Sequence, residues 1–188
     1  MKSITLTLVA VLFSLVSFGQ KISADNSKVE WTGHKVVGST HTGTVAVKGG
    51  ELKIKKGALK GGEIEIDLTS LSSTDLEGEW KQKLDGHLKS GDFFDVEKYP
   101  TAKFVLKSAT KDGDKLKLTG DMTIKGVSQE VAFDASLKEE GKKYVLEGAI
   151  EIDRTKFGLK YGSDSFFDNL GDKAISNNFD INFKVTTL

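Results

Sequence analysis

The chain has 188 residues, in which 27 Lys and Arg balance 27 Asp and Glu, and it contains no cysteine. The missing cysteine excludes a disulfide framework, a thiolate nucleophile and a Cys-based metal site. Lysines dispersed among carboxylates argue against a phosphate-tracking surface, so nucleic acid is not expected as a partner.

Lys2 is followed by an apolar run from Ile4 to Val16 and then by the small-residue triplet Ser17-Phe18-Gly19. This is the pattern of a cleaved secretory signal peptide, which assigns 1–19 to the leader and starts the mature chain near Gln20. The run is shorter than the roughly 18 or more apolar residues of a membrane-spanning helix. With no cysteine for lipid attachment, a periplasmic or secreted protein without a stable membrane anchor is expected. The remaining 20–188 suits one domain large enough to bury a core without cross-links.

From Lys28 onward the chain alternates apolar with charged or hydroxyl residues at period two. Ile64, Ile66 and Leu68 alternate with Glu63, Glu65 and Asp67, and Phe179, Ile181, Phe183 and Val185 alternate with polar residues near the C-terminus. The patterning predicts strands near 28–37, 42–56 (bulged at Gly49-Gly50), 59–69, 101–111, 114–125, 128–138, 142–154 and 177–187. Asp112-Gly113, Lys125-Gly126 and Glu140-Gly141 supply the tight turns of consecutive hairpins. The fold class is therefore all-β: eight antiparallel strands, closed into one barrel, with a two-layer sandwich as the other arrangement.

One helix is expected between strands 3 and 4, opening on a capping box at Thr74 and Glu77 and ending at Ser90 before Gly91. Leu76, Trp80, Leu84 and Leu88 recur at every fourth position and form one apolar stripe that covers the barrel or one of its ends.

The stretch His87-Leu88-Lys89-Ser90-Gly91-Asp92-Phe93-Phe94-Asp95-Val96, followed by Lys98-Tyr99-Pro100-Thr101-Ala102-Lys103-Phe104, closely resembles the signature of the YceI-like family. These are exported bacterial proteins also described as polyisoprenoid-binding. Supporting pieces follow the same order: Asp25 to Trp31, Leu118 to Val127, and Asp153-Arg154-Thr155-Lys156-Phe157-Gly158. The resemblance implies a lipocalin-like barrel around an apolar tunnel that takes an isoprenoid or similar lipid tail, with no cofactor. It turns the inward-parity residues Trp31, Phe104, Leu106, Leu118, Met122, Ile150, Ile152 and Phe183 into candidate ligand-binding residues, together with Phe93 and Phe94 of the signature.

Between 155 and 176 the strand alternation stops. Unstructured connections of this length are lids or linkers, and Phe157, Tyr161, Phe166 and Phe167 are too apolar for a solvated linker. They either close a barrel mouth or dock on its outside. Arg154 is the chain's single arginine and follows Ile150 and Ile152 on their parity. An inward guanidinium needs a partner, either an interior carboxylate or the polar head of a ligand.

Chemistry has little scaffolding. No nucleophile elbow, Walker loop or dinucleotide fingerprint occurs, and Glu63 and Glu65 share a water-facing parity. His34 and His41, an odd distance apart, point to opposite faces if they share a strand, which disfavours a metal site. His87 is read as a hydrogen-bonding residue at the junction of helix and barrel. The expected protein binds a lipid, isoprenoid or fatty-acyl amphiphile, and is not an enzyme. A barrel-shaped enzyme acting on a lipid and a side-chain-filled stress protein are the alternatives.

Overall fold

The computed structural model describes residues 19–188, so the expected leader lies outside the described residues apart from Gly19. Eight strands run in chain order: β1 (Gln20–Lys35), β2 (Thr40–Lys55), β3 (Ala58–Ser73), β4 (Thr101–Asp112), β5 (Lys115–Ile124), β6 (Val127–Glu140), β7 (Lys143–Asp153) and β8 (Ile175–Thr187). Each pairs antiparallel with its neighbours, and β8 returns to β1, so the sheet closes without an edge. This is the all-β barrel that the alternation predicts, and the two-layer sandwich is ruled out. The helix α1 (Gly78–Lys89) is inserted between β3 and β4.

The turns follow from backbone sterics. Lys125 and Gly126 both take positive φ, 50° and 76°, as a two-residue hairpin turn matched to the right-handed strand twist requires. The predicted bulge in β2 is present: the β2–β3 register shifts between Val47 and Gly49, which lets the long hairpin bend around the barrel.

The two barrel ends differ. At one, the mouth end, lie the β1–β2 turn, α1, the β5–β6 turn and the 154–174 connection; at the far end lie the β2–β3, β4–β5 and β6–β7 turns. Val29, Trp31, Leu68, Ala102, Phe104, Ile150 and Val185 belong to one buried apolar cluster inside the wall.

Two expectations about the helix need correction. Thr74 does not cap it, because its N–H is already bonded to the Thr42 carbonyl at 2.8 Å as a continuation of the sheet, and Glu77 stands at the cap position with no side-chain hydrogen bond. The apolar stripe is also split. Leu84 and Leu88 pack against the core, whereas Trp80, a turn earlier, projects past the rim and is 70% exposed.

What holds α1 over the barrel is polar. The Asp85 carboxylate accepts from the Ser73 N–H at 2.7 Å and the Ser72 hydroxyl at 3.0 Å, and it pairs with Lys81, whose ammonium also donates to the Ser73 carbonyl. Burial pushes this carboxyl up, but the Ser73 and Ser72 donors and Lys81 together hold it below the usual aspartate range. A depressed folded-state pKa means that the clamp's stabilisation is complete above the unfolded value of about 3.9 and is lost as pH falls through the lowered one. Asp85→Asn is accordingly expected to cost about 1–2 kcal/mol at pH 7, and its stability deficit should shrink in acid, as pH-dependent urea denaturation will record.

Candidate functional site

The barrel is not filled. A cavity of about 350 Å³ runs inward from the mouth end. Its wall takes apolar side chains from every strand, among them Val29, Val45, Ile66, Phe104, Met122, Phe133, Ile150 and Phe183. Close glycines help seat the rings flat on the wall. A Cβ on Gly120 would lie 2.7 Å from the Phe104 ring, and one on Gly43 would strike both the Trp31 ring and the Ser72 carbonyl. An aromatic lying on bare backbone takes less of the lumen than one standing upright on a neighbouring side chain.

Polar lining residues are confined to the mouth: His34, Lys35, His41, His87, Arg154, Ser176 and Asn178. No carboxylate lines the cavity among the described residues. His34 and His41 lie on successive strands, β1 and β2, not on one strand as their parity argument assumed. Each is paired with an acid: His34 Nε2 lies 2.8 Å from Asp180, and His41 Nδ1 lies 2.8 Å from Asp75. Among the described residues no group of three or more metal-ligating side chains occurs. Glu63 and Glu65 face water, bridged to Lys103 at 2.7 Å and Lys48 at 2.8 Å.

Over the mouth sit α1 and the segment that follows it. Leu84, His87 and Leu88 face the cavity from the helix, with Phe93 and Phe94 beside them. The Phe93-Phe94 stretch is a turn, not a strand, so successive rings reach the same cavity. His87 sits at the junction of helix and barrel as expected, but its role is different. Its Nε2 is buried with no hydrogen-bond partner, and the ring meets Tyr161 and Phe93 edge-on, with centroids at 4.5 and 5.3 Å.

Arg154 is inward and 3% exposed, as its parity predicts. Among the described residues no carboxylate pairs with it. The guanidinium donates instead to four backbone carbonyls: Nε to Ser176 at 2.8 Å, Nη1 to Leu159 at 2.6 Å and Tyr161 at 2.9 Å, and Nη2 to Ile175 at 2.9 Å. It also stands 5.6 Å from the Phe93 ring centroid. Burial pulls its pKa down, opposed by Asp153 and Asp164, and the group stays charged at neutral pH. One side chain thus ties the end of β7 to both ends of the 155–176 connection and to the signature loop.

That connection divides by residue. Leu159 lines the cavity and Tyr161 packs on His87 and Phe93, so both stand at the mouth. Phe157 is 2% exposed in a short turn that packs on β6 and β8, away from the lining. Phe166 and Phe167 are about half exposed and do not reach the cavity. Of the other candidates, Trp31, Phe93, Phe94, Phe104, Met122, Ile150, Ile152, Arg154 and Phe183 all border it, whereas Leu106 and Leu118 are buried without lining it. Ile64, Ile66, Phe133, Phe179 and Ile181 line the cavity as well, as the inward parity of their strands allows. Leu84, Leu88 and Leu159 carried no such strand signal.

Known proteins resemble the chain along its described length. The model of the YceI-like domain matches residues 20–187. A UPF0312 protein from Photorhabdus laumondii is 48% identical over 58 residues, but the match covers only 31% of this chain and 30% of the relative. A UPF0312 protein from Pseudomonas putida is 33% identical over 147 residues, which is 73% of this chain and 74% of the relative. Among solved structures, a polyisoprenoid binding domain from Saccharophagus degradans, implicated in plant cell wall breakdown, superposes with a TM-score of 0.68 at 13% identity. That likeness covers 89% of this chain and 97% of the other, and it establishes the fold alone. The eight-stranded barrel, the helix after β3 and the family match over residues 20–187 identify the chain as a member of the YceI-like family.

Proposed function

We propose that the protein binds one apolar chain-bearing molecule in the barrel, an isoprenoid first and a fatty-acyl amphiphile second, and carries it in the cell envelope without altering it. The observation that carries this reading is the cavity wall: apolar on every strand, with polar groups only at the mouth. A liquid water takes about 30 Å³ and a methylene group is of similar size, so about a dozen such groups fit within 350 Å³. Burying them contributes up to about 0.8 kcal/mol each, enough to offset the lower estimates of the cost of association. Longer chains would extend through the mouth, where Arg154 and His87 border a polar head.

The enzyme alternative needs an acid–base pair inside, and the guanidinium that could join one is occupied by carbonyls. The filled-barrel alternative needs side chains where the cavity lies. The test is native mass spectrometry of protein purified from its own host, followed by solvent extraction. The expected result is one lipid per chain; protein that is uniformly ligand-free would contradict the reading.

Export is part of the proposal. N-terminal sequencing of the extracytoplasmic protein should read from near Gln20. A mature form retaining 1–19 would refute it.

A further inference from the structure

Large apolar side chains exposed to solvent are not scattered over this barrel. Among the described residues, Val36, Val37, Trp80, Tyr161, Phe166 and Phe167 are 46–70% exposed, and all lie at the mouth end, as does Val127, while Val105 stands alone mid-strand on the wall in β4 at 39%. The far end is different: its turns read Lys55-Lys56-Gly57, Asp112-Gly113-Asp114 and Glu140-Gly141-Lys142, and only the terminal Leu188 is an exposed large apolar residue there. The exposed residues come from three elements joined across the opening. The Val36 N–H bonds the Ala174 carbonyl at 2.9 Å, and Tyr161 packs on His87 of α1. Two of the rings carry a lysine ammonium over their faces, Lys83 at 4.9 Å from the Trp80 centroid and Lys160 at 4.6 Å from that of Phe166.

We propose that this rim is a docking face for a phospholipid bilayer, on which the mouth end rests reversibly with its aromatic residues in the headgroup layer and the cavity opening toward the acyl chains. Aromatic rings beside lysines that reach back to the phosphates are the side chains that partition to a membrane interface. The opening of the apolar cavity lies within this rim, so a chain passing between bilayer and barrel need not cross water. Charge is not the driving force: along the 155–176 connection Lys156, Lys160 and Lys173 are balanced by Asp164, Asp168 and Asp172. The occupant is therefore a zwitterionic lipid surface, with weak dependence on salt. The docking rests on the exposed rim and stands whether or not an isoprenoid is the cargo.

The chain has two tryptophans, Trp80 exposed on the rim and Trp31 buried in the barrel, and this makes the test internal. The full chain is mixed with phosphatidylcholine vesicles whose acyl chains are brominated, which quench only indole in contact with those chains. Strong quenching is expected in the native protein and its loss in Trp80→Phe. Phe166→Ser with Phe167→Ser should lower the vesicle partition measured through Trp80 by at least about tenfold. Quenching that survives Trp80→Phe reports lipid entering the barrel beside Trp31, and if it accounts for the whole signal the docking proposal is overturned. Attachment through any other part of the chain leaves Trp80 unquenched and overturns it equally, leaving the rim to a protein partner.

Discussion

Arg154→Met is expected to lower the unfolding free energy by about 3–5 kcal/mol, with or without a bound lipid. The substitution keeps an unbranched apolar stem and removes donors from the carbonyls of Leu159, Tyr161, Ile175 and Ser176. An unpaired buried carbonyl costs about 1–3 kcal/mol, and local loosening will return some of the four to water, which sets the total below their simple sum. Arg154→Lys should recover only part of the loss, because one ammonium cannot reproduce a planar fork that spans four acceptors. Since carbonyls do not titrate, the deficit should stay flat from about pH 7 down to about pH 3, whereas a carboxylate partner would make it shrink as pH falls below about 4. Denaturant titrations of the ligand-stripped variants measure all three points. A stripped Arg154→Met protein as stable as the native one would mean that the carbonyl cradle does not hold the mouth together.

Phe93→Ala is expected to cost about 3–5 kcal/mol and Phe94→Ala distinctly less, about 1–2 kcal/mol. Phe93 is 6% exposed and is held between the Arg154 guanidinium and the rings of His87, Phe94 and Tyr161. Phe94 is half-buried and borders the cavity. A double variant of Phe93→Ala with Arg154→Met should be non-additive by at least about 0.5 kcal/mol, since the two share one contact. Equal, small shifts in denaturation midpoint for the two phenylalanines would contradict this packing.

Much of the barrel was legible because a strand's period of two is written directly into side-chain chemistry. Ile64, Ile66 and Leu68 face in, and their glutamate and aspartate neighbours face out, whatever the partner strand is. The start of β1 was not legible, because Gln20 to Ser27 mixes polar residues on both parities and is held by pairing with β2 and β8 across register shifts. The capping box at Thr74 failed for a competing reason: the same N–H had a sheet partner available. Trp80 fits the helical stripe by spacing, yet spacing cannot tell how far the helix overhangs the rim.

At the site, the sequence placed Arg154 inside but could not name its partners. A carboxylate has a residue identity, whereas a carbonyl is offered by every residue, and which ones converge depends on the irregular path of the 155–176 connection. The same path separates Leu159 and Tyr161, which pack at the mouth, from Phe166 and Phe167, which stay half exposed. Apolar character alone predicts burial for all four, and the exposed pair is where that prediction meets a surface rather than a core.

A hollow, apolar, ligand-accessible barrel is tested by an equilibrium titration of lipid-stripped protein with farnesol, before and after filling the cavity. Ala102 is buried and lines the wall, so Ala102→Trp places an indole in the space a chain would occupy. Saturable one-to-one binding by the native protein is expected, weakened at least about tenfold by Ala102→Trp while the β-sheet circular dichroism signal is retained. No binding by the stripped native protein, or equal binding by both proteins, would contradict it.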